Sequence, residues 1–449
     1  MDNIRLRYAP SPTGFLHIGN ARTALFNYLF ACRYQGTFII RIEDTDLIRN
    51  IPQSEEQQIK ELKWLGLQWK EGPDCGGIFG PYRQSERLDI YQKYAQLLLN
   101  NSLAYKQYST NDTGKFVIRF KVPLRKVFEF NDLIRGHLSF NSEDVEDWII
   151  IKENGFPTYN FAAAIDDHLM LISHIFRGEE HITNTPKQIM IYQAFGWEIP
   201  YFAHMSLILN KNKKKLSKRD TNTIQFIKKY IDLGYLPEAL FNFLSLLGFS
   251  PKTNKTILSA QEIINFFDVK RLNKSAAIFD PSKLSFINSQ YLKKMSLSEL
   301  IHKVKNCFQS YQIILTDEWL QKFVILFRNR ISYIQEMIIM YQKFFPSVYQ
   351  IDISTLNFLK KKHYVFPLVK NLYNLLFSLV CFTAKQLNLV IDQLKNKSNL
   401  EKIDFFIIVR IACTGKNHGP SLCDYLELLG KDNVLKNIKN LINYEKSLS

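Results

Sequence analysis

Two short stretches carry residue types suited to holding a nucleotide phosphate and stabilising charge on one that departs. The first runs Arg7-Tyr8-Ala9-Pro10-Ser11-Pro12-Thr13-Gly14-Phe15-Leu16-His17-Ile18-Gly19-Asn20, and the second is Lys215-Leu216-Ser217-Lys218-Arg219. The His17 imidazole can hydrogen-bond a phosphate oxygen without adding a fixed charge, and Gly19 lets backbone N–H groups come close. Lys215 and Lys218 bracket Ser217 in a run with six basic residues between positions 211 and 219. A mobile lysine pair can hold a triphosphate and oppose the charge that builds on departing pyrophosphate. Each stretch alone admits a plainer reading: His17 as a helix-entry residue that caps its neighbours, the basic run as a solvated loop or targeting tract. Together they describe two walls of one nucleotide site.

The elements that must position these residues follow from periodicity. Ile4, Leu6 and Tyr8 alternate with Arg5 and Arg7, which predicts a short strand with Arg7 at its carboxyl end. Leu25, Phe26, Tyr28, Leu29 and Phe30 recur at helical spacing before Gln35-Gly36, so a helix of roughly three to four turns starts near Gly19. Residues 38–42 read as a buried strand. Strand, glycine-containing loop, helix and strand make a βαβ unit, which takes ligands at the carboxyl ends of its strands and anions at the helix N-terminus. Residues 201–209 read as a further strand running into the basic loop. Thr185 and Pro186 read as the cap and first residue of a helix ending near Gly196.

With these residues on the page, the chain resembles a class I aminoacyl-tRNA synthetase, and specifically the bacterial-type glutamyl-tRNA synthetases. His17 to Asn20 matches the family's variant "HIGH" element and Lys215 to Arg219 its "KMSKS" element. Further matches follow in family order at residues 41–46, 80–87, 156–161, 166–168, 176–181, 412–415 and 428–431. The resemblance implies an α/β fold: a split Rossmann-like class I synthetase catalytic domain over 1–76 and 157–222, interrupted by an α+β insertion over 77–156 that grips the acceptor end of tRNA. All-α C-terminal domains would follow, a stem-contact domain over 223–298 and an anticodon-binding region over 299–449.

The same resemblance implies ATP-dependent activation of L-glutamate as the mixed anhydride with AMP, then transfer to the 3′ end of tRNA. His17, Lys215 and Lys218 become the catalytic groups, with Gly19, Asn20, Leu216 and Ser217 beside them around ATP. Arg7, Ala9, Ser11, Glu43, Tyr159 and Arg177 become the amino-acid site. The two arginines offer planar donor forks for carboxylate and Glu43 an anion for the ammonium, although Arg7 pairing with Glu43 and Tyr159 merely packing stays open. Mg2+ is expected with the ATP, held mainly through phosphates and water. The tRNA for glutamate is the expected partner, with the glutamine tRNA as a second candidate, for a cytoplasmic monomer. Arg328 and Arg330, on the polar side of an apolar stripe running from Trp319 to Ile338, are candidates for anticodon bases because Arg can stack on a base and fork onto its edge.

Two departures stand out. Residues 105–116 form a short connection where many relatives carry a longer segment, and no cysteine lies between positions 75 and 307, so no zinc or other protein-bound metal is expected. The closest rival is a glutaminyl-tRNA synthetase, whose tail is a β-barrel where this one reads as helical. A shortened tRNA-modifying paralogue lacks the anticodon region. A catalytically silent tRNA-binding protein would not need His17, Lys215 and Lys218.

Composition agrees with this reading. A net charge of +16 over 449 residues favours a polyanionic partner. The most apolar stretch, residues 372–384, is too short to span a bilayer and reads as one buried helix. Six scattered cysteines suggest neither a disulfide framework nor a zinc ribbon, and suit a reducing compartment; Cys413, His418 and Cys423 read as packing residues. A strand beginning by residue 4 leaves no room for a signal peptide.

Overall fold

Strands Thr37–Ile40, Arg5–Tyr8, His174–Gly178 and Tyr201–Met205 lie side by side in that order, all parallel, with their carboxyl ends on one edge. This is a computed structural model, and it describes residues 4–109, 114–214, 216, 224–346, 348–349, 351, 355, 359 and 364–446. Every residue of Arg5–Tyr8 is buried, as expected of a strand covered on both faces. Burying two arginines in that strand demands partners. Arg5 meets Glu71 at 2.9 Å and Arg7 meets Asp167 at 2.9 Å.

The helix Ile18–Arg33 starts one residue before Gly19 and, at 16 residues, is slightly longer than the expected three to four turns. The return to the sheet is tight: Thr37 N–H reaches the Ile4 carbonyl at 2.8 Å. A Cβ on Gly36 would lie 2.6 Å from that carbonyl oxygen and 2.7 Å from Ile4 Cγ2. Gly36→Ala is therefore expected to cost about 1–3 kcal/mol by overpacking. Urea denaturation checks it; a lower midpoint at unchanged slope supports the reading, and an unchanged midpoint shows that the turn gives way freely.

Two local expectations change. Residues 201–209 do not form one strand, because side chains take the backbone groups of the middle: Arg22 Nη2 donates to the Ser206 carbonyl, and Leu207 N–H donates to Glu179 Oε1 at 2.9 Å. Ile208–Leu209 then pairs with Ala277–Ile278 instead. Thr185 is the first residue of the helix Thr185–Phe195 and not its cap, which is Asn184; Gly196 ends the helix in the left-handed region at φ 67°.

The inserted segment contributes the helix Leu88–Asn100, an antiparallel sheet of Ala104–Tyr108, Phe116–Phe120 and Trp148–Ile151, and the hairpin Val127–Asp132/Gly136–Asn141. Part of the short connection expected over 105–116 is thus strand. The insertion shares its core with the nucleotide fold: Tyr91, Phe120 and Trp148 belong to the same buried cluster as Phe161, Ile175 and Phe202. The chain packs as two units, Met1–Asn288 and Ser289–Ser449, so the divisions expected at 76, 156 and 222 all fall within the first.

In the second unit all described secondary structure is helical, around a core that includes Leu372, Phe405, Val409, Leu426 and Ile438. The stripe from Trp319 to Ile338 is two helices, Asp317–Phe327 and Glu336–Phe344, separated by a 3-10 turn at Arg328–Arg330. Residues 372–384 likewise divide between the helices Val365–Ser378 and Ala384–Lys397. Lys431 Nζ donates to the carbonyls of Phe377 at 2.8 Å and Leu379 at 2.6 Å, closing the first helix, and the Thr383 hydroxyl caps the second. Val380 between them is 96% exposed, so the apolar stretch is not a buried helix. Cys413 and Cys423 pack in this core while His418 is exposed. Among the described residues no helix is long and apolar enough to cross a membrane.

Candidate active site

Two adjoining cavities open at the carboxyl edge of the parallel sheet. One, of about 450 Å³, is lined by Arg7, Ala9, Ser11, Glu43, Tyr159 and Arg177. The other, of about 440 Å³, is lined by His17, Gly19, Asn20 and Leu216. Thr13, Asn20, Thr23, Gly178 and Glu180 border both. All six residues expected around the amino acid therefore share one cavity, and four of those expected around ATP share the next. Lys215, Ser217 and Lys218 lie outside the described residues; Leu216, between them, is buried on the His17 side.

His17 takes the plainer of the two roles foreseen for it, that of a helix cap. Its Nδ1 accepts the Gly19 N–H at 3.0 Å, capping the helix, so the neutral ring carries its proton on Nε2, which lies 3.2 Å from Gln225 Oε1. A Cβ at position 19 would approach Nδ1 to 3.3 Å, a tight contact that the cap meets without strain only because Gly19 has none. One expectation changes: the Gly19 N–H already serves His17, which leaves Nε2–H as the imidazole donor directed away from the helix.

The amino-acid cavity rests on a buried chain of charges. Asp167 takes both Nε and Nη2 of Arg7, at 2.9 and 3.2 Å, and Nη1 of Arg41 at 2.7 Å. Arg41 in turn holds Glu43 Oε1 at 2.9 Å. Arg7 therefore pairs with Asp167 and not with Glu43. Neighbouring Asp166 receives Gln84, Arg87 and the Tyr91 hydroxyl, at 2.9, 2.8 and 2.7 Å. Burial opposes charge on Arg41, but Asp167, Glu43 and Asp166 outweigh it and raise its pKa; for Asp167, Arg41 and Arg7 likewise overcome burial and lower it.

Arg177 differs from these. Its Nε meets His204 Nε2 at 3.1 Å, Nη1 meets Gln188 Oε1 at 2.8 Å and the Tyr159 hydroxyl at 3.5 Å, and Nη2 meets Thr185 Oγ1 at 2.8 Å. Among the described residues no carboxylate lies within ion-pair distance of it. Burial pushes its pKa down, and burial also pushes that of Glu43 up, beyond what Arg41 and Arg7 offset. Burial thus works against the charged forms of two groups that line the same cavity. A ligand carrying a carboxylate and an ammonium would stabilise both.

Arg328 and Arg330 do not sit on the polar side of a continuous helix. They occupy the 3-10 turn, where Arg328 Nη2 donates to the carbonyls of Lys293 and Met295 at 3.0 and 3.3 Å and Arg330 Nη2 to that of Gly419 at 3.0 Å.

Residue reading alone assigned no role in the site to Asp167, Arg41, Thr185, Gln188 or His204. A signal existed for Asp167: Asp166-Asp167 interrupts the apolar run 161–165 on a helix, and a carboxylate pair in such a run implies buried cations.

Comparison with known proteins agrees with this geometry. A model of the class I tRNA synthetases (E and Q) catalytic domain matches residues 3–113 and 109–286, and an anticodon binding domain model matches 296–442. The chain is 49% identical to the glutamate–tRNA ligase of Acholeplasma laidlawii over 447 residues, covering 99% of both. It is 43% identical to that of Bacillus subtilis over 482 residues, covering 98% of this chain and 100% of the relative. A crystal structure of a glutamate tRNA ligase from Elizabethkingia meningosepticum in complex with its amino acid superposes with a TM-score of 0.90 at 33% identity, covering 98% of this chain and 99% of that one.

Proposed function

The chain belongs to the class I glutamate–tRNA ligase family, and from that premise we propose that the cavity between Arg177 and Glu43 is its glutamate site and the one beside His17 its ATP site. The enzyme joins L-glutamate to tRNA with ATP. The observation that carries the assignment is that one cavity is lined by both Arg177, whose partners are all neutral, and Glu43, whose pKa burial raises. Glutamate offers a carboxylate to the Arg177 fork, with the Tyr159 hydroxyl adjacent, and an ammonium to Glu43. Arg7 lines the same cavity with Ser11, and its Nη1 is the nitrogen that Asp167 leaves over.

The chemistry then follows from the positions. A carboxylate is a poor electrophile, so its oxygen must lie in line with the α-phosphorus of ATP while pyrophosphate leaves; positioning and charge stabilisation do most of this work. His17 Nε2–H, which lies 3.2 Å from Gln225 Oε1, is the imidazole donor for a phosphate oxygen once it leaves Gln225, and Lys215 and Lys218 oppose the charge on the leaving group. Mg2+ arrives with the nucleotide. Glu180 is the one carboxylate among the described residues lining the ATP cavity, which suits a hydrated ion held mainly by phosphates better than a protein cage. A terminal ribose hydroxyl of tRNA then attacks the anhydride and AMP departs.

For the tRNA, an aromatic cavity in the second unit supports base stacking better than Arg328 and Arg330 do. It is lined by the partly exposed aromatics Trp319, Tyr341 and Phe345 with Asn433 and Lys436. The tRNA for glutamate is the proposed substrate and that for glutamine the second candidate, and the enzyme is read as a cytoplasmic monomer. Glutamate- and tRNA-dependent ATP–pyrophosphate exchange, with acylation of both purified tRNAs by both amino acids, is the test. Incorporation of glutamate alone is expected; preferential incorporation of glutamine would overturn the site assignment.

A further inference from the structure

We propose that Asp132 and His204 form a positioning relay, anchored in the hairpin of the insertion, that aims the Arg177 guanidinium into the glutamate cavity. The inference rests on the reading of Arg177 as a glutamate contact. His204 is fully buried in the strand Tyr201–Met205, opposite Arg177 in the parallel ladder, and Asp132 ends the hairpin strand Val127–Asp132. Neither lines either cavity, so neither touches substrate.

The hydrogen-bond inventory fixes the tautomer of the His204 ring. Arginine only donates, so Arg177 Nε–H, 3.1 Å from His204 Nε2, requires a lone pair there. The imidazole proton must then sit on Nδ1, where Asp132 Oδ2 accepts it at 2.7 Å. The same oxygen takes the His204 backbone N–H at 3.0 Å, and Oδ1 takes the N–H groups of Ile134 and Arg135 at 2.9 and 2.8 Å. Four donors hold Asp132 ionised, and its pKa lies below the usual value although burial opposes this, chiefly through the His204 hydrogen bond. Burial lowers the pKa of His204, which keeps the ring neutral and able to accept. A protonated ring would point N–H at N–H.

The hairpin grips the same strand end a second time. Arg135 forms an ion pair with Glu179, two residues beyond Arg177, and its Nε donates to the His204 carbonyl at 3.3 Å. Thr185 completes the enclosure: its hydroxyl accepts from Arg177 Nη2 and has its one proton for either His204 Nε2 at 3.2 Å, alongside Arg177 Nε–H, or the His181 carbonyl at 3.3 Å. His204 at Nε, with Gln188 at Nη1 and Thr185 at Nη2, fixes the guanidinium plane of a residue that lines the cavity.

Two substitutions separate positioning from bulk stability. In His204→Asn the amide reaches the Nδ1 position, so it serves Asp132 and leaves Arg177 Nε without an acceptor. In His204→Gln the amide oxygen reaches the Nε2 position, so it serves Arg177 and abandons Asp132. Loss of one hydrogen bond to a charged group predicts that His204→Asn raises the KM for glutamate about 10-fold with the KM for ATP within about 2-fold, while His204→Gln stays within about 3-fold for both. Equal glutamate KM values for the two variants, or a parallel change in the KM for ATP, would overturn the relay. Arg177→Met is the control: if it leaves the glutamate KM unchanged, the glutamate-site reading fails. If it raises that KM while His204→Asn does not, the relay alone fails.

Discussion

Arg177→Met is expected to lower kcat/KM for glutamate roughly 10- to 150-fold, the range given by one lost charge-assisted interaction of about 1.5–3 kcal/mol. The loss should lie mainly in the KM for glutamate, with the KM for ATP unchanged, because Arg177 lines only the amino-acid cavity. Arg177 is a cleaner probe than Arg7. Its partners Gln188, Thr185, Tyr159 and His204 are all neutral, so removing the guanidinium strands no charge. Removing Arg7 would leave Asp167 with Arg41 alone, mixing a binding defect with a folding one. Glutamate-dependent pyrophosphate exchange over a range of glutamate concentrations decides the matter, and unimpaired glutamate kinetics would exclude Arg177 from the site.

The parts of this site that were legible in the sequence are those in which function is local. His17 and Gly19 lie within three residues, and the strand before them and the helix after them announce themselves by period, so the phosphate-facing corner can be drawn from residues 4–30 alone. Arg177 and Glu43 were legible for a second reason: they stand in stretches that match a family, which supplies the three-dimensional neighbourhood that spacing cannot. Their support was not legible. Arg7 and Asp167 are separated by 160 residues, Arg41 and Asp167 by 126, and Asp132 and His204 by 72, and no periodicity reports such pairings.

The errors have the same origin. Hydropathy joined residues 372–384 into one helix because it cannot register that Lys431, 52 residues beyond Leu379, closes the first half. It joined residues 201–209 into one strand because Arg22 and Glu179, which claim the intervening backbone, come from other elements.

Asp167 should carry the largest effect on stability. Asp167→Ala removes the carboxylate shared by Arg7 and Arg41, both buried, and breaking a buried ion pair from one side costs about 3–5 kcal/mol because the remaining charge stays out of water. The sign of its pH dependence follows from its depressed pKa. The contribution is complete above the unfolded value near ~3.9 and is lost as pH falls through the lower folded value, where protonation removes the anion the arginines require. Glu43 runs the other way: its folded pKa is raised, so its effect on stability is most favourable below the unfolded value near ~4.3 and is lost as pH rises through the folded value. Denaturation of the wild type and Asp167→Ala at neutral pH and at successively lower pH separates the two. The difference between the proteins should be widest at neutral pH and narrow once pH drops below about 4, in proportion to protonation of Asp167. A difference that stayed constant across that range would mean that Asp167 supports the fold through its shape and not through its charge, and the buried chain from Arg7 to Glu43 would lose its electrostatic account.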